Sequence, residues 1–195
     1  MIKTEKNKKS NSVSALNGEN VKGFVQVSEL GLQGMITLRA NLSTPKVKKA
    51  IKDVTGVPVP KMRQILHDGD NSIGWMSPDE LLILCPHSGA EAMVTALNDA
   101  LGKTHALVIN VSDARAMFAV KGADARDAMA KLAPTDFGMG FQPGEIRRSR
   151  LAQVAGAFWM VDQETFNVVC FRSVARYMFD VLAVSAEKGG EVGYF

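Results

Sequence analysis

WMSPDELLILCPHS, residues 75–88, has a counterpart further along the chain, WMVDQETFNVVCFRS, residues 159–173. Each runs Trp-Met, an acidic turn, an apolar strand, Cys, two residues and a Ser, and the second copy is one residue longer in the turn. Pro78 presets a turn and Asp79 favours one, so Trp75–Ser77 and Leu81–Cys85 read as a hairpin. Leu81–Leu84 is a continuous apolar run, which suits a strand covered on both faces. Ser88 with Glu91, and Ser173 in the second copy, are placed to cap the helices that follow. A repeat of this length implies two similar halves, not a short-period solenoid. The fold class expected is therefore α+β: two pseudo-repeated halves of antiparallel strands with helices packed on one side.

The duplication also decides how the chemically conspicuous residues read. A thiol at the same strand-end position in both copies, Cys85 and Cys170, is explained by packing, since Cys behaves as a small hydrophobe. Asp79 and Glu80 sit at a hairpin tip, where both cannot converge on a buried substrate. His87 has Arg172 as its counterpart, so Cys85-x-His87 is not repeated and supplies too few metal ligands by itself. Trp75 and Trp159 each begin a hairpin and read as core anchors. His67 and His105 have no evident nucleophile beside them and read as structural or surface residues.

Outward from the repeat, Ile36, Leu38 and Ala40 alternate with Thr37, Arg39 and Asn41, the pattern of a half-buried strand. Thr44 and Pro45 then open a helix whose Val47, Ala50, Ile51 and Val54 face inward, and Gly56 closes it. Met93, Ala96, Leu97, Ala100 and Leu101 form the stripe of a second helix. Ala106–Val111 reads as a buried strand, and Ala116, Phe118 and Val120 mark another. A third helix buries Ala125, Ala128, Met129 and Leu132 before Pro134. Strands follow near 147–154, 158–162 and 166–170, then a last helix with Val174, Tyr177, Met178, Val181 and Leu182 inward. Residues 1–20, short of large apolar groups, read as a disordered basic tail. Residues 21–103 and 104–195 are the expected halves.

Composition narrows the function classes. Of 23 Lys and Arg and 20 Asp and Glu, four lysines and one glutamate lie in the first nine residues, leaving 19 of each sign. That balance argues against a general grip on nucleic acid. Two cysteines make no disulfide framework, and no stretch of 18 apolar residues occurs. No membrane association and a cytoplasmic location are expected. Ser43-Thr44-Pro45-Lys46 fits S-x-x-K without the companion motifs of acyl-transfer enzymes. Gly138–Gly144 is spaced G-x-G-x-x-x-G, follows a helix and contains Pro143, so it fails as a dinucleotide loop. Arg148 and Arg150 share one strand face with Arg147 on the other; they suit either a carboxylate or acidic partner, or a charged edge strand protected from aggregation.

Over about Glu29 to Glu187 the chain resembles the gamma subunit of heterotetrameric sarcosine oxidase. The resemblance is carried by Leu38-Arg39, WMSPDELLIL from Trp75, VSDARA from Val111, GADARDAMAKLAPTDF from Gly122, Arg150-Leu151-Ala152 and FRSVARYMFDVL from Phe171. It implies the folate-binding fold of the glycine-cleavage T-protein. It also implies membership of a complex that oxidatively demethylates sarcosine to glycine, with hydrogen peroxide and a one-carbon unit passed to tetrahydrofolate or released as formaldehyde. On that resemblance FAD, FMN, NAD and tetrahydrofolate belong to partner subunits, the partners are alpha, beta and delta subunits, and this chain carries no catalytic, cofactor-binding or metal residue. Arg147, Arg148 and Arg150, with Tyr194 and Phe195 at the chain end, become the candidates for partner contact. The alternative is a free-standing folate-binding or one-carbon transfer protein of the T-protein type.

Overall fold

A computed structural model describes residues 12–195. The first repeat comprises β3 (Gly34–Ala40), α1 (Pro45–Thr55), β4 (Ile65–Asp68), β5 (Asn71–Ser77), β6 (Glu80–Cys85) and α2 (Ala90–Leu101). The second comprises β8 (Arg115–Lys121), α3 (Ala125–Ala130), β9 (Ile146–Leu151), β10 (Val154–Asp162), β11 (Thr165–Phe171) and α4 (Ala175–Ser185). Three strands lie outside the repeats: β1 (Asn20–Lys22), β2 (Gln26–Glu29) and β7 (Ala106–Asn110). All pairings are antiparallel, in the orders β4-β5-β6-β3-β7 and β1-β2-β8-β11-β10-β9.

Sheet membership thus divides the chain differently from the expected halves at 103/104. Each repeat supplies four strands in matching order, and the next position is filled by exchange. β7, from beyond residue 103, pairs with β3, while β2, from before the first repeat, pairs with β8. An edge strand's partner is whichever neighbour shares its free ladder, and local pattern does not encode that choice.

Four layers result. Ile36, Leu38, Ile73, Leu81, Ile83 and Val108 turn one face of the first sheet toward α1 and α2. Phe118, Phe158, Met160, Phe166 and Val168 turn the second sheet toward α3 and α4. Between the sheets lies a third core of Met35, Met76, Leu82, Leu84, Met117, Ala157, Trp159 and Val169. Backbone hydrogen bonds stitch the β4 and β9 edges together, Ile65 N–H to Gly144 O at 2.9 Å and Ile146 N–H to Arg63 O at 3.0 Å.

The two tryptophans do not play the same part. Both hairpins carry a bulge beside the Trp-Met pair, between Trp75 and Ser77 and between Met160 and Asp162. Counted back from the shared Cys, the extra turn residue shifts the second Trp by one position, and one position along a strand changes the face. Trp159, 1% exposed, therefore enters the inter-sheet core, at the ladder position that Gly74 holds in the first hairpin. Trp75 pairs with Leu81 on the helix side and stays partly exposed.

Other expectations are corrected by geometry. Neither Ser88 nor Ser173 makes a side-chain cap: each lies in a 3-10 turn whose backbone bonds begin the helix. Glu91 instead accepts a hydrogen bond from Asn110 Nδ2 at 2.6 Å. Thr44 likewise makes no cap bond, whereas Gly56, at φ 79°, closes α1 with its N–H on Lys52 O. The strand expected over 147–154 breaks after Leu151 into a turn at Ala152 and Gln153, with Ala152 at φ 48°. In β7 only Val108 is buried, because it is an edge strand. Helix α4 buries Ala175, Met178, Phe179 and Leu182, leaving Tyr177 37% exposed; the preceding 3-10 turn rotates its phase.

The tail expected over 1–20 lies partly outside the described residues. Its described part, 12–20, is held by Glu29, only 6% exposed, which accepts hydrogen bonds from Ser14 Oγ, Leu16 N–H and Gly18 N–H. Arg172 donates to the carbonyls of Val13 and Ser14, and Arg176 pairs with Glu19.

Candidate interaction surface

The strand registers carry polar side chains to one end of the seam between the sheets. On the first sheet Arg39 pairs with Glu80 on one side and Leu107 on the other, so these three share a row on the face turned toward the second sheet. On the second sheet Arg115 pairs with Phe171, and Arg148 with Ala157, on the opposing face. Glu80, its side chain 13% exposed, lies 3.4 Å from Arg148 and 3.8 Å from Arg39; Asp79 is 3.5 Å from Arg39. The Asp79 carboxyl is held below its ordinary value, first by the Ser77 hydroxyl and then by Arg39. Arg115 stacks its guanidinium carbon 4.2 Å over the Phe171 ring. Burial pulls Arg115 below its ordinary value, with Glu80 opposing that shift and Arg148 adding to it.

A cavity of about 50 Å³ is bounded here by Met76, Glu80, Arg115, Arg148, Ala155 and Phe171. Beside it an open groove of about 680 Å³ runs past Arg39, Asn41, Pro78, Asp79, His105 and Leu107. Leu107 (47%), Ile109 (45%) and Phe171 (49%) expose large apolar surface. Guanidinium and aromatic groups set in apolar surroundings are the composition of protein interfaces.

Of the candidates read from sequence, Arg148 and Arg150 emerge on the same strand face and Arg147 on the other. Arg148 joins the cluster; Arg150 bonds Gln153 Oε1 at 3.1 Å. Arg147 turns away, pairing with Glu145 and lying 5.2 Å from the Phe141 ring centroid. Tyr194 and Phe195 form an edge-on pair, ring centroids 5.0 Å apart, on a chain end held to α3 by Gly193 and Tyr194 N–H bonds to Asp127. Arg39, Glu80, Arg115 and Phe171 were missed as a set. The available signal was strand alternation: Arg115 is in phase with Met117, and Phe171 with Val169, both seam residues. Arg39, Glu80, Arg115 and Phe171 also fall in four separate segments that carry the family resemblance.

The far end of the seam holds a cavity of about 380 Å³ over Leu84, Met117 and Trp159, with Gln33, Ser72 and Asn167 among its polar groups. His67, beside it, has Nδ1 2.7 Å from Ser72 Oγ. Cys85 and Cys170 are free and buried, and burial raises both thiols, Cys170 to about 12. Thiols in that state are poor nucleophiles and poor metal ligands. Among the described residues no group of three or more His, Cys, Asp or Glu is placed to hold a metal, and no helix is long and apolar enough to cross a membrane.

The Gly138–Gly144 loop does not fit a dinucleotide. Gly138 N–H bonds Asp136 Oδ1, Phe141 N–H bonds Gly138 O and Gly144 N–H bonds Met160 O, so these amides are committed. Arg126 holds the loop by donating to the carbonyls of Phe137, Gly138 and Phe141.

Fold and surface together define a duplicated α+β module that presents a guanidinium- and apolar-lined face at one end of its seam. The sequence model described as sarcosine oxidase, gamma subunit family matches residues 39–187, and the chain belongs to that family. Among solved structures, it is similar to a chain of the heterotetrameric sarcosine oxidase from Corynebacterium sp. U-96 in complex with pyrrole 2-carboxylate. The TM-score is 0.77 at 22% identity, covering 86% of this chain and 87% of that one. It is also similar to glycine cleavage system aminomethyltransferase T from Bartonella henselae, with a TM-score of 0.58 at 12% identity, covering 82% of this chain and 46% of that one. At these identities the likenesses show the fold. No curated protein sequence matched.

Proposed function

We propose that this chain is a non-catalytic structural and assembly subunit of a heterotetrameric sarcosine oxidase. In this reading alpha, beta and delta subunits are its partners, and FAD, FMN, NAD and tetrahydrofolate are held by them. The reaction is oxidative demethylation of sarcosine with oxygen as acceptor, giving glycine, hydrogen peroxide and a one-carbon unit passed to tetrahydrofolate or released as formaldehyde, and this chain contributes shape and docking. The observation that carries the reading is the family match across 39–187. It is supported by how the reactive side chains are engaged: both thiols are buried, and Asp79 and Glu80 are paired with arginines. Arg148 and Arg150 at the seam, Arg147 beside the Phe141 loop, and Tyr194 with Phe195 are its proposed partner contacts.

Coexpression with the large flavoprotein subunits tests this. The chain is expected to co-purify with them in fixed proportion, and the isolated chain to form no peroxide from sarcosine. Sarcosine-dependent peroxide from the isolated chain would overturn the assignment. A second reading, a free-standing folate-binding protein, draws on the T-protein-like fold and the 380 Å³ cavity over Trp159. Stoichiometric tetrahydrofolate binding by the isolated chain would favour it.

A further inference from the structure

The Arg115 side chain is incompletely satisfied. Its Nε–H is buried and has no hydrogen-bond partner, alone in this respect among the buried side-chain nitrogens and oxygens of the described residues. Buried donors in folded proteins nearly always find an acceptor, and leaving one unmet is costly. The guanidinium carbon lies 4.2 Å over the Phe171 ring, and a contact with an aromatic face accepts no in-plane N–H hydrogen bond, so the N–H groups still call for an acceptor. Glu80 does not fill that role. It is shared between Arg148 and Arg39 at 3.4 and 3.8 Å, and no hydrogen bond joins it to Arg115. Three guanidiniums, Arg39, Arg115 and Arg148, stand against two carboxylates, Asp79 and Glu80, so the cluster is one negative charge short.

The cavity between Arg115 and Arg148, about 50 Å³, has room for a carboxyl group and is too small for a cofactor. Its surroundings, with Phe171 and Leu107 nearly half exposed, offer apolar area that a small free acid would leave uncovered. Charge and apolar area together select an acidic side chain presented on a protein surface. We infer that the Arg115–Arg148 socket receives one Asp or Glu carboxylate from a partner subunit of the oxidase, which accepts hydrogen bonds from both guanidiniums and balances the cluster. This rests on the assembly reading above and adds to it the address and chemistry of one contact.

The test uses the coexpressed complex. Arg115→Met preserves length and apolar stem while removing every donor, and is expected to weaken partner binding by at least about tenfold, the loss of one charge-assisted hydrogen bond. Arg176→Met, whose guanidinium serves Glu19 and Asp180 instead, is the control and should bind as wild type. Arg148→Lys keeps the charge and supplies an amine. Zero-length carbodiimide coupling should then join residue 148 to an Asp or Glu of a partner subunit, identified by mass spectrometry, and this readout stands even if Arg115→Met folds poorly. Wild-type affinity for folded Arg115→Met, or coupling from residue 148 only to Glu80 or Asp79 of the same chain, would overturn the inference and leave the assembly reading intact. Failure of the wild-type chain to associate with the flavoprotein subunits would overturn both.

Discussion

Replacing Glu29 by Ala tests the N-terminal architecture, which composition concealed. Glu29, at 6% exposure, accepts hydrogen bonds from Ser14 Oγ at 2.8 Å, Leu16 N–H at 3.0 Å and Gly18 N–H at 2.7 Å. A hydrogen bond to a charged group contributes about 1.5–3 kcal/mol net, so three would exceed 4 kcal/mol if the donors stayed buried. They need not stay buried, because residues 12–19 can peel away and return their amides to water. That escape caps the loss at what docking of the segment provides, about 2–4 kcal/mol. For a chain of this size each kcal/mol is worth roughly 2–4 °C, so the melting temperature should fall by roughly 4–16 °C. Glu29→Gln, which keeps one acceptor oxygen, should lose about half as much. Hydrogen exchange followed by mass spectrometry should show faster exchange in peptides covering 12–22. The effect should reach the start of α4, because Arg172 donates to Val13 and Ser14 and Arg176 pairs with Glu19, and should spare α1 and α2. A melting temperature within 1 °C of wild type, with exchange over 12–22 unaltered, would refute the anchoring role.

Three further outcomes are expected. Burial raises Cys170 from an ordinary 9.0 to about 12, so the folded state holds a proton that the unfolded state releases; stability is full below pH 9 and falls as pH rises toward 12. Cys170→Ala should flatten that alkaline slope in urea titrations, and the native thiol should resist iodoacetamide at pH 8. Arg126→Met, by freeing the carbonyls of Phe137, Gly138 and Phe141, should lower stability by about 2 kcal/mol and speed exchange over 136–145. In Gly34→Ala the new Cβ would lie 2.7 Å from Cys85 Sγ and 2.8 Å from the carbonyl oxygens of Cys85 and Pro86, forcing β3 from β6 at a cost of about 2–3 kcal/mol by denaturant titration.

The duplicated hairpin was readable because its turn and apolar run are local, and the covered strand Leu81–Cys85 and the packed thiols followed from it. What could not be read were choices made between distant segments. The exchange of β2 and β7 depends on which sheet edges remain open. The different faces of Trp75 and Trp159 depend on a one-residue change in turn length acting through a bulge. Glu29 was concealed because its partners lie in a segment that looks too polar to order itself.

The interaction surface was obscured for a related reason. Arg148 was visible as a charge on an edge strand, but Arg39, Glu80, Arg115 and Phe171 come from four strands of two sheets. They meet only because the sheets stack face to face. Helices cover both outer faces, and the inner faces cover each other only as far as their rows overlap, through Met35, Leu82, Leu84, Met117, Trp159 and Val169. Where that overlap ends, alternation still directs side chains into the seam, now with water or a neighbour as the opposing layer. Polar and aromatic residues in those end rows therefore gather from separate parts of the chain without any local motif. A duplicated sandwich has such seam ends by construction, and the end bearing Arg115 offers unmet hydrogen-bonding capacity to another protein, while the core layers supply the rigidity that fixes its geometry.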